Sequence, residues 1–355
     1  MTSQAIVVRE PAQPGGVNWS LEQVEVGSPG DDEVLVEIYA AGICHTDIVL
    51  SSVPAGVAGI QYPKVVGHEE PFQPQSCFGA GIVRGVGKDI QSVQVGDPVL
   101  LSFDYCSTCQ QCETSHPAYC DSFTPKNYVG QQGSMKTHGG ENIWSNFFGQ
   151  SSFAQYSVVK TASVVNVKDL IQDLSELKLF ASLGCGLQTG MGAITNISQA
   201  GPDDIVLISG MGAVGMAALM DTIHECTSKT ANITKCKAII AVDKVKSRLQ
   251  LAKALGATHT IDTSDAGYPT LGDAVRSLVP TGASIAIDTT GVPSIIEQSI
   301  QSTQARGKTV LIGVPPWDYN LGVNAVEHVN AKDYQKSLDS MKDGSAIKPV
   351  LIWKA

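Results

Sequence analysis

The sequence predicts an α/β protein in two parts, a β-rich N-terminal domain followed by a doubly wound parallel sheet. Three features point there. The first 160 residues hold short alternating runs, VLVEIYAAGIC, GAGIVRGVG, PVLLSF and FAQYSVV, separated by Gly, Pro and Asp, which is the pattern of strands and turns. From about Asp203 apolar strands interleave regularly with helical runs, an order that requires βαβ crossovers. Directly after the first of those strands stands GMGAVG, a glycine triplet at the head of a helix.

The second part reads strand IVLIS, helix AVGMAALM, strand AIIAVD, helix KSRLQLAKALG, strand HTID, helix LGDAVRSLV, strand SIAIDTT, helix SIIEQSIQST and strand KTVLIGV. After Val314 the chain turns irregular, with a short helical piece expected around Tyr334 to Lys342 and a closing apolar strand, PVLIW.

Composition narrows the function classes. At 355 residues, 43% hydrophobic and 16% charged, the chain has room for two cores and is neither disordered nor fibrous. A net charge of -10 without a dense Lys/Arg cluster excludes a nucleic-acid or anionic-membrane surface, so the expected partners are small molecules. The uncharged run Leu179 to Pro202 is broken by polar residues, and Ile205 to Met220 is too short to span a bilayer. MTSQAIVVREP has no basic region followed by an apolar run, so the expected location is cytoplasmic. Nine cysteines in that compartment are reduced, which favours metal over disulfide.

Gly210, Gly212 and Gly215 have the spacing that lets a backbone turn tightly, approach a pyrophosphate and pack a helix on a strand. The next strand ends in Asp243, an acid placed to accept from ribose hydroxyls. It favours NAD, because a 2′-phosphate would meet a negative charge, although Lys244 follows at once. The stretch from Gly210 to Asp243 is longer than the usual ~20 residues, and HECTSKTANITKC is the expected insertion.

Cys106, Cys109, Cys112 and Cys120 follow Cys-x2-Cys-x2-Cys-x7-Cys, four soft ligands on one loop. Such a set closes a tetrahedral zinc sphere and leaves no position for a reactant. A reactive zinc needs three protein ligands and an open position, for which Cys44 in GICHTD, His68 in GHEE and Cys185 in GCGLQTG are candidates.

Together GICHTD, GHE, the four-cysteine loop, GCG-x-x-TG, GMGAVG and IGVPP resemble the zinc-dependent medium-chain alcohol dehydrogenases over nearly the whole chain. SHPAYCDSF, FFGQSSFA and LGCGLQTG resemble the aryl- or benzyl-alcohol branch. The resemblance implies a GroES-like catalytic domain over residues 1–190, rejoined by 322–355, and a Rossmann domain over 191–321. It implies two zincs per chain, one held by Cys44, His68 and Cys185 and one by the four-cysteine loop, with Glu69 as an occasional alternative ligand. Asp47 would fix the ligand histidine's tautomer and Thr46 would contact the reacting oxygen. His45 and Lys348 would meet the cofactor pyrophosphate, Arg248 and Asp243 the adenosine ribose, and Val214 and Thr189 the nicotinamide. The implied reaction interconverts a primary, aryl or bulky, alcohol and its aldehyde with NAD, in a homo-oligomer, dimer or tetramer.

The chain departs from that family in four places. Val49 stands where many relatives have a relay histidine, so the last proton step falls to the ribose and water or to His45. EPFQPQSCF intervenes between Glu69 and Gly79, where two prolines forbid a central strand. The HECTSKTANITKC insertion is the third, and the region after NAVEH, shortened by several dozen residues, is the fourth. An activity-impaired member that binds nucleotide or zinc, and a zinc-free quinone or enone reductase, are the alternatives.

Overall fold

Buried residues alternate with more exposed ones along the first halves of Thr2–Val8 and Glu33–Ala40, so one face of each is buried. In the computed structural model, residues 1–13, 15–68, 79–180, 183–223, 236–265, 267–316, 319–321, 327–330, 335–336, 339 and 349–352 are described. The first part contains β1 (Thr2–Val8), β2 (Trp19–Val26), β3 (Glu33–Ala40), β4 (Lys64–Val65), β5 (Ala80–Val86), β6 (Pro98–Leu101), β7 (Gln131–Thr137), β8 (Asn142–Ser145), β9 (Tyr156–Lys160) and β10 (Val164–Asn166). Short helices α1 (His45–Ser51), α2 (Gln110–Glu113), α3 (Leu177–Phe180) and α4 (Gln188–Gly192) punctuate them.

Strands β1-β2-β7-β8-β4 close into a barrel, and β10-β6-β5-β3-β9 form a second sheet. Closure matters because it leaves no free edge in the barrel. Val7, Val24, Val65, Met135, Ile143 and Phe147 fill one core, while Val34, Val36, Val83, Val99 and Leu101 fill another. Each such side chain contributes about 1.5–3 kcal/mol by leaving water. The hairpin β1–β2 was not among the runs singled out from the sequence; its register sets Thr2 opposite Glu25 and Val8 opposite Trp19.

The second part is the alternating unit expected: β11 (Ile205–Ser209), α5 (Ala213–Ile223), β12 (Ala238–Asp243), α6 (Lys246–Ala254), β13 (His259–Asp262), α7 (Leu271–Leu278), β14 (Ala283–Asp288), α8 (Pro293–Gln301) and β15 (Thr303–Leu311). All neighbours pair in parallel, in the order β13-β12-β11-β14-β15. The order reverses between β11 and β14, and such a switch point opens a crevice at the strands' carboxyl ends. Every residue of β11 is buried, as a strand covered on both faces requires.

Helix α8 ends at Gln301, two residues before the expected end, because Ser302 and Thr303 turn their hydroxyls back onto the Gln298 and Ser299 carbonyls. Among the described residues β13 and β15 are the two outer strands of this sheet. Strands β16 (Glu327–Asn330) and β17 (Pro349–Ile352) form a separate parallel pair. Most of the expected helical piece at 334–342 lies outside the described residues, as does most of 322–348. No helix among the described residues is long and apolar enough to cross a membrane.

Candidate metal centre and nucleotide crevice

Three separate segments converge on one point. Cys44 caps helix α1: its thiol accepts from the Thr46 N–H at 3.4 Å, and its own N–H donates to Asp47 Oδ2 at 2.8 Å. Asp47 is wholly buried, and its other oxygen accepts from the Gly67 N–H and faces His68 Nδ1, both at 3.0 Å. One carboxylate thus fixes the segments that carry Cys44 and His68.

Gly67 turns β4 into His68 with φ of +104°, and a Cβ there would lie 2.4 Å from the Phe153 ring, so only glycine fits. Cys185 arrives from the turn Leu183–Leu187, just ahead of α4. One ligand atom from each of Cys44, His68 and Cys185 lies within 4.8 Å of the others.

His68 shows what such a group of donors fits. With Nδ1 held by Asp47, Nε2 is buried and has no hydrogen-bond partner among the described residues. Leaving such an atom unpaired is costly, and a cation held jointly with two thiolates would satisfy it. Burial pulls the imidazole down, but the Asp47 charge and hydrogen bond, helped by Cys44, push it up to about 10. A metal binding at Nε2 would compete with a proton there.

Phe148 stacks on that imidazole at 4.2 Å and 15°, and Phe147 meets its edge at 5.5 Å. Behind Phe148 stand Tyr128 at 5.4 Å and Phe123 at 6.0 Å, and Phe123 touches Phe103 at 5.7 Å. Phe148 adopts φ of +47°, with Asn146 and Ser151 also at positive φ nearby. This presentation of the ring is a strained one. Sequence reading missed the wall; the only trace was FFGQSSFA, quoted as a family word.

The four-cysteine loop is built differently. Cys106, Cys109, Cys112 and Cys120 place their sulfurs within 4.8 Å of one another, and all are free thiols. The Cys109 N–H donates to Cys106 Sγ at 3.3 Å and the Cys106 N–H to Cys120 Sγ at 3.4 Å. Backbone N–H groups about Thr108 pull Cys106 down to about 6, whereas desolvation pushes Cys112 up to about 12. Four sulfurs so close cannot all carry charge unless a cation joins them.

At the switch point the three glycines have distinct surroundings. Gly210 turns at φ of +92° with Thr289 Oγ1 2.5 Å from where its Cβ would lie. A Cβ on Gly212 would meet nothing within 4 Å, and one on Gly215 would lie 1.8 Å from the Gly210 carbonyl. Turn, open space for a phosphate and helix–strand contact follow in that order. Gly190 brings the segment after Cys185 onto the same loop, its Cβ position lying 2.2 Å from the Val214 carbonyl. Thr189, next to Gly190, and Val214 are both half-buried.

Asp243, expected at the adenosine ribose, is engaged within the chain itself. Its oxygens accept from the Met211 N–H at 2.7 Å and the Val245 N–H at 2.8 Å, with Arg248 at 3.7 Å, so it braces the glycine loop. His45 is exposed and Thr46 half-buried in the first turn of α1. Glu69 and Lys348 lie outside the described residues, as do Cys77 and Cys226; Cys236 is buried in the parallel-sheet core.

Comparison with known proteins agrees with this geometry. A family model for an alcohol dehydrogenase GroES-like domain matches residues 30–169, and one for a zinc-binding dehydrogenase matches residues 225–344. A geraniol dehydrogenase from Castellaniella defragrans is 34% identical over 323 residues, covering 90% of this chain and 78% of that protein. An alcohol dehydrogenase zinc-binding domain protein from Burkholderia ambifaria superposes over the whole of both chains with a TM-score of 0.75 at 28% identity. A benzyl alcohol dehydrogenase from Acinetobacter calcoaceticus does so over 99% of this chain and 84% of its own, with a TM-score of 0.72 at 31% identity. A β-barrel domain carrying Cys44 and His68, a parallel sheet with a glycine loop, and these relatives leave one conclusion: the chain belongs to the zinc-dependent medium-chain alcohol dehydrogenase family.

Proposed function

We propose that this member of the family oxidises a primary aryl or similarly bulky alcohol to its aldehyde, and reduces the aldehyde, with NAD and two zincs per chain. The observation that carries the substrate class is the aromatic wall against His68, in which Phe148, Phe147, Tyr128, Phe123 and Phe103 form one contiguous set of ring contacts. A flat, apolar substrate body gains from stacking there, and a short aliphatic chain gains less. Geraniol and benzyl alcohol, named for two of the relatives, share that bulk.

Cys44, His68 and Cys185 would hold the catalytic zinc, and the four-cysteine loop the other. Bound, the catalytic zinc supplies a Lewis acid that makes an alcohol easier to deprotonate, and NAD supplies the hydride acceptor. The remaining work belongs to the chain. Asp47 sets the tautomer of His68 by holding Nδ1, so that Nε2 is left to ligate. Thr46, two residues from Cys44, offers the hydroxyl for the reacting oxygen, and His45 at the exposed end of α1 leads the proton outward. The loop at Gly210–Gly215 seats the pyrophosphate, and the Gly190–Val214 contact fixes the distance from the Cys185 segment to the cofactor crevice.

Asp243 supports NAD over NADP, since both its oxygens are held in place and a 2′-phosphate would face a fixed negative charge. The family resemblance supports a cytoplasmic homo-oligomer. Metal analysis of the purified protein beside an NAD- and NADP-linked assay over aryl, allyl and aliphatic alcohols tests the reading. Two zincs and a preference for aryl alcohols with NAD are expected; one zinc or none, without turnover, would overturn it.

A further inference from the structure

Lys64 lies in β4, four residues before His68, and none of its surface reaches solvent. Its Nζ donates to the Val129 carbonyl at 2.7 Å and stands 5.9 Å from the centre of the Phe147 ring and 6.0 Å from that of Trp144. No carboxylate pairs with it among the described residues. Burial pulls the amine down to about 7. A methionine would fill a similar space without that desolvation cost, so the amine's contribution lies in what it holds.

It holds three segments together. Val129 ends the helical turn Pro125–Val129 that follows the four-cysteine loop, and its carbonyl, lacking a partner within the turn, takes the lysine's proton donor. The preceding residue, Tyr128, packs on Phe148 at 5.4 Å, and Phe148 stacks on His68 at 4.2 Å. Phe147 faces the ammonium on one side and the His68 edge, at 5.5 Å, on the other. Both rings that enclose His68 are therefore tied to Lys64, Phe147 through a cation–π contact and Phe148 through Val129 and Tyr128.

We propose that Lys64 is a positioning residue for the catalytic metal site, holding Phe147 and Phe148 against His68 so that the imidazole keeps its aim. The proposal rests on the zinc reading above. It is tested by preparing the parent protein and Lys64→Met with full zinc and titrating each with a chelator. Zinc released per chain, thermal unfolding, kcat, and KM for NAD are read in parallel.

The parent is expected to hold two zincs; if it holds one or none, the zinc reading itself fails and takes this proposal with it. In Lys64→Met the first zinc should leave at roughly tenfold lower chelator and kcat should fall about tenfold, with KM for NAD unchanged. Lys64→Arg, which keeps charge and donors, should recover most of the retention. Equal zinc retention in Lys64→Met and the parent overturns the proposal. Should Lys64→Met fail to fold, Phe147→Leu removes only the ring between lysine and histidine; the same early release supports the proposal, and parental retention overturns it.

Discussion

The two cysteine groups use the same ligand chemistry in opposite ways. Cys106, Cys109, Cys112 and Cys120 come from one short loop, three of them are half-exposed, and their sulfurs are held by backbone N–H groups of the loop itself. Cys44, His68 and Cys185 come from three segments far apart in sequence and meet where the barrel, the turn at 183–187 and the aromatic wall converge. The first group can form almost locally, so a metal there closes a loop. The second depends on the packed fold and, with three donors, would leave a fourth position open on a bound metal. What separates a staple from a reactive centre is the number of donors and the origin of their placement.

Breaking the second group should have the largest effect on turnover. His68→Ala is expected to lower kcat by more than about three orders of magnitude while leaving one zinc per chain, read by metal analysis beside the alcohol assay. A variant that keeps both zincs would sink the assignment.

The converse comparison is Cys120→Ser. It should lower unfolding stability by several kcal/mol, on the order of what loss of a structural metal costs, whereas kcat per folded molecule stays near the parent's. Chemical denaturation scored against active-site titration separates the two quantities.

Asp47→Asn leaves all seven ligands in place and removes only the carboxylate behind His68, so zinc affinity and kcat should drop by about 10–100-fold. An unchanged chelator midpoint would show that the hydrogen bond does no more than cap helix α1. Phe148→Ala should cut the kcat/KM ratio of aryl over aliphatic alcohol by about tenfold, the worth of one aromatic contact; a constant ratio would remove the aromatic wall from substrate choice.

The smallest effect joins the two regions. The Lys64 amine is lowered to about 7 from 10.5, so the unfolded chain binds the extra proton between those values. The stability cost of burying it is fully present below about pH 7 and fades as pH rises toward 10.5. Urea midpoints of Lys64→Met relative to the parent should accordingly be most favourable at neutral pH and decline toward alkaline pH. Parallel curves would count against the buried charge.

The parallel sheet was legible because its signals are local: IVLIS, GMGAVG and the strand ending in Asp243 each announce themselves within a few residues. Helix ends shifted by two residues where Ser302 and Thr303 found carbonyls, a competition that periodicity does not register. The first hairpin went unremarked, since TSQAIVV and WSLEQVEV are joined by a long irregular stretch with no tight-turn signature.

By itself the sequence determined the donor types, the spacing of the four-cysteine loop and the order of strands and helices in the second part, because ligand softness and backbone periodicity act over short distances. Only the tertiary structure decided that Asp47 serves Cys44 and His68 at once, that Asp243 braces the loop it was expected to follow, and that a buried lysine stands one ring away from His68. Apart from the Asp47–Cys44 bond, those contacts join residues more than twenty positions apart, and no local pattern records which side chains a closed barrel and a packed crevice will press together.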